Sequence, residues 1–319
     1  MILEDSPAIK HKGHKAIYSN KENHMRIAII ADLHGILPAL DAMLDEIKNE
    51  DIEGIIVAGD MIAGPNSAEV VKKLRQCNCW MIRGNQENYI IQLASGKAPD
   101  WQYSCKQWNY IRWTYEHTDN DTLNFLQSIP EQCTIQFTEK EPIRVVHGSP
   151  SNVSELIFPY QDISKLDKAL EQVTEPVIIF GHSHEAWTMK RNGKLAVNPG
   201  SLSMSFFGKQ HGTYAILDWE NQHWNVEIRK LFYNSKLVRK AYIETGLLEK
   251  GGAFARCCLI SIETGIDYLP PMLDYAYKKA EEAGYGDSPF VPDEIWYEAT
   301  KSFEELNYKE AASELDLSL

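Results

Sequence analysis

The sequence predicts an α/β fold followed by a helical extension, on three observations. Short continuous apolar runs, "RIAIIADLHG" at 26–35 and "GIIVAGD" at 54–60, read as strands covered on both faces. Between them "LPALDAMLDEIKNE" at 37–50 places Leu40, Met43, Leu44 and Ile47 at helical spacing. From about residue 235 the pattern turns helical and stays so.

Taken in order, residues 1–24 are polar and basic without a clear period, and are expected to form a mobile extension, with Met25 the functional start of the fold. "SAEVVKKLRQ" (67–76) is a second helix and "CWMIRGN" (79–85) a third strand, which completes a βαβαβ unit. Such a unit implies a parallel sheet with right-handed crossovers, and function then sits at the carboxyl ends of the strands. Residues 86–129, rich in Trp101, Trp108, Tyr110, Trp113 and Tyr115, read as a helical insertion over a sheet edge. Strands return at 133–138, 143–149 and 177–184, with a helix near 162–173. Residues 187–201 form a hairpin turning at Asn192-Gly193, and "TYAILDW" with "HWNVEIRKL" forms another. The expected domains are therefore 1–24, 25–234 and 235–319.

Bulk composition narrows the function. The 319 residues are 44% hydrophobic and 24% charged, as in ordinary globular proteins, and the formal charge of −13 disfavours a surface for extended nucleic acid. No apolar run approaches the roughly 18 residues of a membrane span, and residues 1–24 hold no apolar core of a signal peptide. Six cysteines without a CxxC pair read as reduced thiols. A cytoplasmic protein is expected.

The chemistry lies in what the strands deliver. Asp32 and His34 follow the first strand, Asp60 the second, Asn85 the third, His147 a later one, and His182 and His184 the last. Singly, each is an ordinary turn residue, helix cap or structural histidine. Together they are imidazole, carboxylate and amide oxygens suited to a hard-to-borderline cation, and one aspartate can bridge two ions. Two such ions roughly 3.5–4 Å apart acidify a water and clamp an in-line displacement at phosphorus. No serine or cysteine sits in a nucleophile-elbow context that would support a covalent hydrolase.

"DLH" at 32–34, "GD" at 59–60, "GNQE" at 84–87, "HG" at 147–148 and "GHSH" at 181–184 resemble, in order and spacing, the five motifs of the calcineurin-like metallophosphoesterases. The resemblance covers about residues 26–231. It implies a four-layer α/β/β/α sandwich of two mixed sheets with a two-metal site at one end. It assigns Asp32, His34, Asp60 and His184 to one ion, and Asp60, Asn85, His147 and His182 to the other. The ions implied are Mn²⁺, Fe²⁺/Fe³⁺ or Zn²⁺. A metal-bound hydroxide would attack a phosphodiester or dinucleoside polyphosphate, with Asp60, Asn85 and His182 central to catalysis. The alternative is an inactive scaffold or regulatory binding protein on the same fold, in which ligands should be substituted; here all are present.

One departure stands out: many members carry a histidine at the position of Gln86, and glutamine supplies no acidic proton at neutral pH. The compact bacterial branch also lacks that histidine, commonly carries the "NPGS" seen at 198–201, and is mostly phosphodiesterases. A looser resemblance, to bacterial asymmetric diadenosine tetraphosphate hydrolases, offers Trp187, Phe206, Phe207 and Tyr242 as base-stacking candidates or core aromatics. Arg83 is placed to reach a phosphate or pair with an acidic helix, Glu87 to orient a ligand imidazole or open a helix, and Asn198 and Ser201 to line the site. Residues 235–319 are expected to cap the site, bury a sheet face or form a homo-oligomer contact. The expected substrate is a small phosphorylated molecule, with no membrane partner.

Overall fold

The computed structural model describes residues 24–204 and 211–308. The expected N-terminal extension, save His24, and the stacking candidates Phe206 and Phe207 lie outside the described residues. The βαβαβ unit consists of β1 (Met25–Ile30), α1 (Leu37–Ile47), β2 (Gly54–Val57), α2 (Ser67–Leu74) and β3 (Cys79–Met81). Its strands pair in parallel, with Ile27 opposite Gly54 and Ile55 opposite Cys79. The insertion forms α3 (Asn85–Ala94), α4 (Asn109–Glu116) and α5 (Asn120–Ser128). Then come β4 (Gln132–Phe137), β5 (Lys140–Val146), α6 (Ile163–Glu171), β6 (Val177–Ile179), β7 (Ala186–Arg191), β8 (Lys194–Pro199), β9 (Gly212–Glu220) and β10 (His223–Leu231). The extension comprises α7 (Ser235–Glu244), α8 (Leu247–Lys250), α9 (Gly252–Thr264), α10 (Leu269–Glu282) and α11 (Asp293–Asn307).

Two five-stranded mixed sheets result, ordered β10-β9-β1-β2-β3 and β4-β5-β6-β8-β7. Period-two alternation explains why both faces of β1 are apolar. Ile27, Ile29 and Ala31 point between the sheets, where they meet Ile143, Val145, Val177 and Ile179. Ala28 and Ile30 point outward into a core with Leu40 and Met43 of α1 and Val70 of α2. Outside the second sheet, Ile178 and Ala196 pack on Leu166 and Leu170 of α6. The four-layer sandwich is therefore present.

Two strands end earlier than their apolar runs suggest. The run at 177–184 stops pairing at Ile179, and the run at 143–149 stops at Val146, so both sets of histidines lie on loops. Left-handed backbone at His182 (φ 65°) and His184 (φ 56°) does not continue a strand. At the hairpin, Asn192 (φ 52°) and Gly193 (φ 73°) supply the positive angles of a tight two-residue turn.

The extension shares the outer core of the first sheet. Val238, Tyr242, Leu247, Leu259 and Ile262 belong to the same apolar cluster as Leu40, Met43, Tyr110 and Trp113. The Tyr242 and Tyr110 hydroxyls lie 3.0 Å apart, and Tyr110 donates at 2.8 Å to Ala63 O, three residues after Asp60. The remaining helices build a second cluster from Met272, Ala276, Trp296 and Phe303 against Cys257 and Ile260 of α9. Among the described residues no helix is long and apolar enough to cross a membrane.

Burial of each large aliphatic side chain is worth roughly 1.5–3 kcal/mol, so the extension's contribution rivals a net stability of about 5–15 kcal/mol. A chain truncated after Asn234 is expected to lose cooperative unfolding and to aggregate, as monitored by urea denaturation and size exclusion; a soluble, cooperatively folded truncation would show the extension to be dispensable.

Candidate metal centre

The parallel strands β1 and β2 end at the same edge, and the loops beyond them are joined by backbone hydrogen bonds. Asp32 N donates to Gly59 O at 3.1 Å, and Leu33 N and His34 N both donate to Asp60 O at 2.8 and 3.0 Å. On the second sheet Gly181 N donates to His147 O at 2.7 Å. Side-chain bonds also tie the sheets together here, among them His182 N donating to Asp32 Oδ2 at 3.0 Å. Asp32, His34, Asp60, Ala63, His182 and His184 all have positive φ. Such conformations cost on the order of 1–3 kcal/mol each in non-glycine residues and persist where surroundings enforce them, commonly at functional sites. A Cβ at Gly84 would sit 2.1 Å from Asp60 Oδ1, and one at Gly64 would sit 1.8 Å from His34 O, so both positions require glycine.

The seven predicted residues converge into two groups. In the first, Asp32, His34 and His184 bring one donor atom each within 4.8 Å of the others. The Nε2 atoms of His34 and His184 are 3.0 Å apart. Asp32 Oδ1 is buried and accepts no well-formed hydrogen bond, yet it faces Nε2 of His184 at 3.4 Å, of His147 at 3.9 Å and of His34 at 4.0 Å. In the second group Asp60, His147 and His182 meet the same 4.8 Å limit. Here His147 Nε2 lies 3.3 Å from Asp60 Oδ2 and 3.1 Å from Asn85 Oδ1.

The outer ring nitrogens are held by main-chain carbonyls. His147 Nδ1 faces Ala58 O at 2.7 Å, and His182 Nε2 faces Ser154 O at 3.1 Å. A carbonyl only accepts, so each of those nitrogens carries the proton and the other keeps a lone pair. This is the usual arrangement behind a metal-ligating histidine. Carboxylate, amide and imidazole acceptors facing one another, with Asp32 Oδ1 orphaned, fit a pair of cations.

The electrostatics agree. Burial opposes the Asp32 carboxylate, but His184 and His147 hold it below its ordinary pKa. Burial is likewise outweighed at Asp60, where His147 and then His34 depress the carboxyl. For His147, burial acts downward while Asp60 and Asp32 push the imidazole up to about 10. Burial and the neighbouring His184 lower His34 to about 4, and burial and His147 lower His182. The ion-free cluster thus keeps its proton on His147.

Of the two roles expected of Glu87, opening a helix is the one the structure shows. Its buried carboxylate touches no imidazole; it accepts Gly84 N at 2.7 Å, Asp60 N at 3.0 Å, Met61 N at 2.8 Å and Ile62 N at 3.2 Å. It therefore opens α3 and clasps the two metal-end loops at once. Burial and repulsion from Asp60 push it up to about 7 against the pull of the Gly84 and Ile62 amides. Asp60 Oδ1 in turn accepts the Gln86 amide at 2.9 Å.

The remaining candidates take these positions. Arg83 pairs with Glu131 at 3.6 Å and reaches Gln127 O at 3.4 Å, bracing a loop. Asn198 is fully buried, with its amide group donating to Gly181 O (2.8 Å) and Ser183 Oγ (3.0 Å) and its oxygen accepting Gly200 N (2.9 Å), so it supports the histidine loop from behind and does not line it. Ser201 donates to Asp32 O at 2.7 Å in the same supporting role. Trp187 packs on Phe180 in the core and Tyr242 is buried against Tyr110, so neither is available to stack a base.

The family model for the calcineurin-like phosphoesterase superfamily domain matches residues 25–222. The chain belongs to that superfamily. An uncharacterized protein of Methanocaldococcus jannaschii is 28% identical over 234 residues, 68% of this chain and 90% of its own length. A phosphodiesterase of the same organism is 23% identical over 202 residues, covering 63% and 96%. The crystal structure of a metallophosphoesterase from Sphaerobacter thermophilus superposes with a TM-score of 0.59 at 21% identity, covering 76% of this chain and 99% of that one. The superfamily is metal-dependent, in keeping with the two clusters.

Two features of this superfamily member were not legible in its sequence. A cavity of about 270 Å³ opens beside His147, walled by Glu131, Gln132, Ser149, Asn152 and Val153. From the extension, Asp267 comes near enough to His184 to feel its charge, although burial dominates and raises the carboxyl.

Two outcomes follow. Since a metal must displace the His147 proton, apparent affinity for Mn²⁺ should rise with pH until about 10, and binding near neutrality should release about one proton. Calorimetry in buffers of different ionisation enthalpy measures this. Glu87→Gln turns an amino group toward amide donors; it should cost about 1–3 kcal/mol in denaturation and weaken metal binding roughly 10- to 100-fold.

Proposed function

We propose that the chain is a dinuclear metal-dependent phosphohydrolase acting on small phosphodiesters or dinucleoside polyphosphates in the cytoplasm. The observation that carries this reading is the adjacency of the two acceptor clusters. Asp32, His34 and His184 would hold one ion and Asn85, His147 and His182 the other. Asp60, which feels the imidazoles of both groups through His147 and His34, would bridge them. Imidazole, carboxylate and amide oxygen suit Mn²⁺, Fe²⁺/Fe³⁺ and Zn²⁺ alike.

Ions bound there would polarise a phosphoryl group and acidify a water. The chain's own part is positional. The Ala58 and Ser154 carbonyls keep His147 and His182 in the tautomer that offers a lone pair, and Glu87 fixes the backbone that carries Asp60. The cavity beside His147 offers room for a small phosphorylated group and its ester substituent. The name of the similar archaeal phosphodiesterase supports diesters over monoesters as substrates here, and so does glutamine at position 86. Six free cysteines suit a reducing compartment. We assign residues 235–308 as a layer that buries the outer face of the first sheet and brings Asp267 toward the centre as a partial cap.

Asp60→Asn tests the reading. With Mn²⁺ and bis-p-nitrophenyl phosphate, the variant is expected to lose on the order of 100-fold or more in turnover and to retain less than about two ions per chain by elemental analysis. A wild-type protein that binds no metal and stays inert with Mn²⁺ would overturn the proposal, as would full activity in the variant.

A further inference from the structure

The cavity beside His147 is shaped by a turn that the fold closes tightly. Ser149 N donates to Asn152 O at 2.8 Å, and Asn152 N donates back to Ser149 Oγ at 3.1 Å. A Cβ at Gly148 would lie 2.6 Å from both Asn152 O and Val153 O, so residues 149–153 are pressed against the backbone that carries His147. Main-chain packing therefore sets this wall before any ligand enters.

The wall is polar, and its lining contains no Phe, Tyr or Trp and no Lys or Arg. Its carboxylate, Glu131, is met by Arg83 at 3.6 Å and accepts the Asn88 amide at 3.0 Å. The hydroxyl and amide groups, by contrast, keep hydrogen-bonding capacity. Ser151 Oγ meets Ser149 Oγ at 3.3 Å and has no other partner among the described residues. Asn152 uses its side-chain oxygen on Ser154 N at 2.9 Å, and its NH2 group has no acceptor among the described residues. Gln132 uses its NH2 group on Pro150 O at 3.3 Å, and its side-chain oxygen has no donor among them. A nucleobase calls for a flat aromatic or apolar face and a run of phosphates calls for cations; this wall offers neither. Free donors and acceptors side by side suit hydroxyl groups, which both donate and accept.

We infer that this cavity selects a phosphodiester whose substituent is a small polyol, such as a glyceryl group, over one that carries a nucleoside or further phosphates; this rests on the phosphohydrolase reading above and narrows it. The hydroxyls of the substituent exchange hydrogen bonds with Ser151, Asn152 and Gln132, and its phosphate lies on the His147 side.

The test is calorimetry on the Mn²⁺-supplemented protein with three phosphomonoesters that differ only in substituent: glycerol 3-phosphate, methyl phosphate and adenosine 5′-monophosphate. Glycerol 3-phosphate is expected to bind on the order of 10-fold tighter than the other two, as two net hydrogen bonds would supply. Ser151→Ala is expected to reduce that advantage about 2- to 10-fold, the effect of one such bond. Tighter binding of adenosine 5′-monophosphate than of glycerol 3-phosphate would overturn the inference. So would an advantage over methyl phosphate that is absent, or that survives in both Ser151→Ala and Asn152→Ala. The expected order of binding in a protein that hydrolyses no diester, bis-p-nitrophenyl phosphate included, would uphold the selectivity of the cavity and overturn only the phosphohydrolase reading.

Discussion

The four backbone amides that converge on the Glu87 carboxylate fix the metal end of the sandwich. Strand ends that present Asp60 and Asn85 come from different βα units, and nothing in a parallel sheet requires the loops beyond them to be rigid. A buried carboxylate bonded to the main chain of both removes that freedom. Its removal leaves several buried amides without acceptors, each worth about 1–3 kcal/mol. The clasp also allows Asp60 to keep a left-handed backbone, a strain that would otherwise relax.

Between the sheets the equivalent constraint is the bond from His182 N to Asp32 Oδ2. It leaves Asp32 Oδ1 facing three imidazoles without a well-formed hydrogen bond. Acceptors crowded in a buried space repel or seek a cation, and the outer nitrogens of His147 and His182 are already bonded to carbonyls. The fold thus fixes the geometry of the site before an ion arrives, and protonation of His147 is the ion's competitor. The extension strengthens this arrangement from the far side, because Tyr242 and Tyr110 link α7 to the loop that follows Asp60.

The candidate ligand residues were legible because each follows an apolar run and five of them, His34, Asp60, Asn85, His147 and His182, adjoin a glycine, a pattern that marks strand ends in one dimension. The extent of β6 was less so: Phe180 continues the apolar run, but pairing stops at Ile179 as the backbone turns toward His182. Glu87 was visible as a carboxylate near the site, but its partners are main-chain atoms of Asp60, Met61 and Ile62, far away in sequence and without side-chain signature. Trp187 and Tyr242 show the converse limit, since aromatic identity does not disclose which face of an element a ring occupies.

Anomalous diffraction from crystals grown with Mn²⁺ tests the central claim most directly. The account predicts two peaks, one bounded by Asp32, His34 and His184, the other by Asn85, His147 and His182, with Asp60 touching both. A single peak, or ions bound away from these residues, would contradict it.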